Sequence, residues 1–241
     1  MIGAGATALV ANKAAAQEAT ASTVAARVAE AEQQIVRRRA GGDSIPAEWV
    51  VERLGVGLSK RDRHIAAFHI VRNVPYKLTA WKGDPDSLFT LGRGDCRHKS
   101  AAFLRLMRAW DFHARPVQVP FDWADLPVPR SVLQPLLETR GIHDSVEVRI
   151  DGAMALVDPT WDPPLGAAGF PVLADWDGIG PTLGITSKAD TIVRRGDVEA
   201  GTDLYSYFGI NWPERDRTLA FNRALNAWTD EVRARIGSAK G

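Results

Sequence analysis

The chain has one cysteine in 241 residues, Cys96, so it cannot close an internal disulfide. A structural zinc site wants four ligands, and the Cys96-x-His98 pair finds no second thiol to join it. Charge of one sign is also missing. Thirty Lys and Arg face 29 Asp and Glu for a net charge of +1, and the basic residues are scattered, which excludes the electrostatic footprint of a nucleic-acid binder. There is no long hydrophobic run: the apolar stretch from Ile2 to Val10 follows no basic residues and is too short to cross a bilayer. A soluble, cytoplasmic protein with no membrane partner is therefore expected. The chain has no internal repeat. It also has no phosphate-cradling glycine motif, since Gly3-x-Gly5 lacks both a preceding strand and a later glycine. No metal or organic cofactor is called for.

What is present is enough apolar material for a real core, 45% of residues, in three stretches. Residues 1–59 read as a helical extension. From about Lys13 to Arg39 they are rich in Ala, Glu, Gln and Arg, with Val24, Val28, Ala31 and Ile35 at helical spacing and Gly41-Gly42 as the stop. This thin stripe is offered either to its own domain or to a second copy, as a homodimer through that helix. Residues 60–200 read as the catalytic part, and 201–241 as a C-terminal wrap, the three forming one compact unit. Helices are predicted over about 46–55, 60–73 and 96–110. A final helix starts at Pro213-Glu214 and lines up Leu225, Trp228, Val232 and Ile236.

Cys96 sits where the glycine-rich turn Gly92-Arg93-Gly94-Asp95 breaks into an apolar helical run. A thiol at a helix N-terminus faces unpaired N–H groups and the positive end of the helix dipole, both of which favour thiolate. The bland reading of a lone cysteine is a small buried hydrophobe. Against it stand two later segments. Asp151-Gly152 between the runs Ser145–Ile150 and Ala153–Val157 is a strong hairpin signal, and a two-residue turn there pairs Ile150 with Ala153. Counting back places Ser145 opposite Asp158 and His143 opposite Thr160. His143 and Asp158 then become diagonal neighbours roughly 7–8 Å apart at Cα, within reach of an imidazole–carboxylate hydrogen bond. The other face carries Val146, Val148, Ile150, Ala153, Ala155 and Val157, suited to a core. His98 is expected to be exposed on its helix, and His64 and His69 to be ordinary helix residues.

These features resemble the transglutaminase-like family, relatives of papain by fold, over about residues 60–165. Phe68–Tyr76 resembles the helix-to-turn approach to the active site, and Gly94-Asp95-Cys96 with Ser100–Phe103 the nucleophile helix. Phe112–Val117 resembles the strand entry, and His143 to Asp158 the closing hairpin. The family usually has a tryptophan two residues after the histidine, where this chain has Ser145, and an aromatic in the second strand, where it has Met154 and Ala155. The resemblance implies an α+β fold with the nucleophile helix packed on an antiparallel sheet, here with added N- and C-terminal helices. It implies Cys96 as nucleophile, His143 as base and acid, and Asp158 as its orienter. The chemistry implied is acyl transfer through a thioester, on a peptide, protein or small acyl donor, with no nucleic acid involved; a non-catalytic binding or scaffold module is the alternative. Trp81 and Trp161 are expected to flank the site. Trp123, in the proline-rich segment Pro120–Arg140, is expected to lie over the cleft mouth and shape donor choice.

Overall fold

The computed structural model describes residues 23–79, 84–188 and 191–238. Residues 23–40 form helix α1, whose Val24, Val28, Ala31 and Ile35 are all buried. The stripe is spent on the chain's own core. Next come α2 (Ala47–Leu54) and α3 (Lys60–Arg72), the latter capped by Ser59, whose hydroxyl accepts the Asp62 N–H. Short α4 (Leu88–Leu91) ends on Gly92 at φ +62°, a left-handed position that glycine adopts freely. Helix α5 (Cys96–Ala109) then lies against the sheet.

The sheet has the order β3-β2-β1-β4 and is antiparallel throughout: β1 (Ala114–Asp122), β2 (Arg140–Ile150), β3 (Ala153–Val157) and the two-residue β4 (Val193–Arg194). The predicted register holds, with Ile150 opposite Ala153, Val148 opposite Ala155 and Val146 opposite Val157. Asp151 at φ 49° and Gly152 at φ 88° give the two positive dihedrals of a type I′ turn. Because β3 pairs only with residues 146–150, β2 runs on past it and leaves residues 140–145 without a neighbour on that edge.

Two hydrophobic clusters cover the opposite faces of this sheet. Val146, Val148, Ile150, Ala155 and Val157 meet α5 and the N-terminal helices through Phe68, Phe103 and Leu106. On the other face Val119 and Phe121 meet Trp123, Trp161, Phe170 and the helix α9 (Arg215–Ser238), which contributes Phe221, Leu225 and Val232. Between these lie three single-turn helices, α6 (Arg130–Leu133), α7 (Pro163–Gly166) and α8 (Leu204–Tyr207).

The proline-rich segment departs from expectation. Its first residues, Pro120 and Phe121, continue β1, and Trp123, Leu126, Val128, Val132, Leu133 and Leu136 are buried in the second cluster, with α6 packed on α9. It is a wall of the core and not a flap over a cleft, because its apolar side chains find α9 to cover them. No helix among the described residues is long and apolar enough to cross a membrane.

Candidate active site

Cys96 is the first residue of α5, and the turn before it is built to hold that helix start. Asp95 is the N-cap: its carboxylate accepts the His98 N–H and, at 2.8 Å, His98 Nδ1, while the Thr79 N–H and hydroxyl donate to its other oxygen. Gly94 has no room for a side chain, since a Cβ there would stand 2.6 Å from the Cβ of His98 and 2.8 Å from Leu88. His98 is fully buried under the turn that precedes Cys96, contrary to the exposure expected of it; the Asp95 carboxylate supplies the partner that makes burial tolerable.

His143 lies on the stretch of β2 that has outrun β3, and Asp158 follows the last residue of β3. The diagonal placement brings His143 Nε2 to 2.7 Å from Asp158 Oδ2, with both side chains buried. The carboxylate is itself held: its other oxygen accepts the Thr160 N–H at 3.2 Å, and the Asp158 N–H donates to Thr182 Oγ1 at 2.7 Å. With Nε2 taken, Nδ1 is the ring nitrogen left open; Cys96 packs against the second cluster, and its thiol and the His143 ring influence each other's charge. The three side chains thus come together where the two clusters meet.

The electrostatics oppose each other across this contact. Burial works against a charged His143, yet the Asp158 charge and hydrogen bond, with Cys96 beside it, overcome that and raise its pKa to about 10. Burial also pushes the Cys96 thiol up, while the His143 hydrogen bond and charge pull it back down. Burial thus opposes the thiolate preference expected from the helix N-terminus, and the His143 charge acts in its favour.

Three further residues near the site are not singled out by the sequence as site residues. Tyr76 is buried, and burial followed by the charges of Cys96, Asp95 and Asp158 drives its pKa well up. Tyr205, from α8, is raised to about 12 by burial and then by the charge of Cys96. Asp144, raised mainly by burial, takes a hydrogen bond from Gln118 Nε2 at 3.1 Å. Tyr76 falls within a motif that already stood out, but nothing in local sequence distinguishes Tyr205.

Of the tryptophans expected at the site, Trp81 lies outside the described residues. Trp123 and Trp161 are each 4% exposed. Trp123 packs on Phe121 and Phe221 at ring distances of 5.0 and 5.2 Å, and Trp161 packs on Tyr76 at 4.5 Å and donates its Nε1–H to Ile185 O at 3.0 Å. Trp161 supports the ring of Tyr76 from behind. Ser145, where the family usually has tryptophan, is buried, and its hydroxyl has no partner among the described residues.

Residues 59–159 match the model of the transglutaminase-like superfamily. Searches of curated proteins and of solved structures return no match. The matched stretch contains Cys96, His143 and Asp158 and stops before α7, β4, α8 and α9. Over residues 59–159 this chain is similar to the transglutaminase-like superfamily.

Proposed function

We propose that the protein is a cysteine-dependent enzyme that moves an acyl group through a thioester on Cys96, acting on an amide or thioester carbonyl of a peptide, protein or small acyl donor. The observation that carries this reading is the buried 2.7 Å contact between His143 and Asp158, with Cys96 at the start of α5 electrostatically coupled to the same imidazole. His143 imidazolium stabilises the Cys96 thiolate, which attacks the carbonyl carbon to form a C–S bond. The backbone N–H of Cys96, at the open end of α5, donates to the developing oxyanion. As the bond to the leaving amine or thiol breaks, His143 gives that group its proton. Water or an amine then attacks the thioester, His143 takes back a proton, and Cys96 is released. Asp158 holds the imidazole tautomer throughout. Hydrolysis gives a peptidase or amidase; an amine acceptor gives an acyltransferase.

The test is intact-mass spectrometry of the protein after incubation with a panel of peptides and acyl thioesters, alongside His143→Ala. An acyl increment on Cys96 that needs His143 is expected. Alkylation by iodoacetamide between about pH 6 and pH 9 supplies the substrate-free readout, with His143→Ala expected to slow it at neutral pH. If Cys96 alkylates at the same rate with and without His143 and takes up no acyl group, the protein is a binding or scaffold module and the enzymatic reading fails.

A further inference from the structure

Residues 75–79 run as an extended strap between the nucleophile turn and the C-terminal helix, and their polar groups alternate between the two as an extended chain's must. On one side Pro75 O accepts the Gly94 N–H at 3.2 Å, the Lys77 N–H donates to Gly94 O at 2.9 Å, and the Thr79 N–H donates to Asp95 Oδ2 at 3.2 Å. These ties fix the two residues immediately before Cys96.

On the other side stand Asn226, Asp230 and Arg233, spaced four and then three along α9 and so on one face of it. Asn226 holds Leu78 with both ends of its amide, accepting its N–H and donating to its carbonyl at 2.9 Å each. Lys77 Nζ pairs with Asp230. Arg233 donates to Tyr76 O at 2.8 Å and forks onto Asp162 at 2.8 and 2.9 Å, while Asp162 accepts the Tyr76 N–H at 2.8 Å. The Asp162 side chain is 2% exposed and that of Arg233 16%. Every backbone polar group of Tyr76 and Leu78 is thereby committed to this clamp, and the buried Tyr76 ring is held 4.5 Å from that of Trp161. None of Asn226, Asp230, Arg233 or Asp162 falls in the family-matched stretch.

We propose that Asn226, Asp230 and Arg233, with Asp162, are positioning residues that set where Cys96 stands relative to His143, through the strap and through Tyr76. The proposal rests on the enzymatic reading of Cys96 and His143. A fork-to-carboxylate pair defines direction as well as distance, and a lysine at that position keeps the charge but loses the fork. A misplacement of about 1 Å at a reacting pair can cost about a hundredfold in rate.

The test compares wild type, His143→Ala, Arg233→Lys, Arg233→Met and Asn226→Ala, with the iodoacetamide rate on Cys96 measured across pH at a temperature where circular dichroism shows each variant folded. Arg233→Met is expected to alkylate about tenfold slower at neutral pH, with its profile moved toward that of His143→Ala, and Arg233→Lys to fall between it and wild type. Should Arg233→Met not fold, Asn226→Ala, which removes only the two bonds to Leu78, carries the same expectation with a smaller change. Folded variants that melt lower but keep the wild-type profile would make the clamp purely structural and overturn the proposal. A wild-type profile identical to that of His143→Ala would overturn the enzymatic reading and the positioning role together.

Discussion

The two faces of the central sheet bury similar numbers of large side chains but are assembled differently. One is aliphatic and periodic: Val146, Val148, Ile150, Ala155 and Val157 alternate along a hairpin and meet helices whose own stripes repeat every three to four residues. The other is aromatic and discontinuous, drawing Tyr76, Phe121, Trp123, Trp161, Phe170 and Phe221 from separate loops, a strand end and α9. Regular elements supply the first face, whereas loops and single-turn helices supply much of the second. The candidate active site lies on the seam, with Cys96 delivered by the helix of the first face and His143 facing the rings of the second, 6.2 Å from Phe121. Chemistry at this seam needs both faces in place.

The largest test of that dependence is Asp158→Asn. An amide cannot hold the His143 tautomer or its charge, so turnover on a validated donor should fall on the order of a thousandfold with the fold intact. The same variant reports on the ion pair through stability. The His143 pKa is raised from 6.5 to about 10, so stabilisation from Asp158 is whole below about pH 6.5 and is lost as pH rises through 10. The melting-temperature gap between wild type and Asp158→Asn should therefore close over that window; a gap constant with pH would mean that His143 is not charged in the fold.

Truncations compare the faces directly. Trp123→Ala and Phe221→Ala in the aromatic cluster should each cost about 3–5 kcal/mol by chemical denaturation, as much as Phe103→Ala in the aliphatic one. If Trp123→Ala leaves stability unchanged and alters donor preference, the segment is a substrate wall after all and the second face is no core.

Lys99 joins the faces. It is fully buried one turn beyond Cys96, donates to Arg72 O at 2.9 Å and lies 3.5 Å from Pro159 O, and burial lowers its pKa to about 7. A depressed lysine penalises the fold fully below about pH 7 and not at all above 10.5. Lys99→Met should gain stability relative to wild type as pH falls through that interval; a difference flat in pH would put the ammonium in contact with solvent. The smallest effect belongs to the hairpin turn: Asp151→Ala, at φ 49°, should cost about 1 kcal/mol in thermal melts while Cys96 alkylation is unchanged.

The difference between the faces also explains what could be read in advance. The hairpin register, the helix over Cys96–Ala109 and the pairing of His143 with Asp158 follow from a turn dipeptide and a period of two, both local. The burial of His98 could not be read this way, because it depends on the Asp95 carboxylate turning back onto its ring and on Gly94 leaving space. Trp123 and Trp161 looked like cleft linings because their covering residues, Phe221 and Ile185, come from parts of the chain with no local link to them.

By itself the sequence determined a likeness to one superfamily over residues 59–159, the α+β architecture and the pairing of His143 with Asp158, since turn chemistry and side-chain periodicity act over a few residues. Tertiary structure decided their electrostatics and support. Burial raises the Cys96 thiol that its helix position would have lowered, Tyr205 arrives from the C-terminal wrap, and Arg233 and Asn226 of α9 grip the strap beside the nucleophile turn. Desolvation and long-range hydrogen bonds depend on which segments close over a site, and that is fixed only when the whole chain has packed.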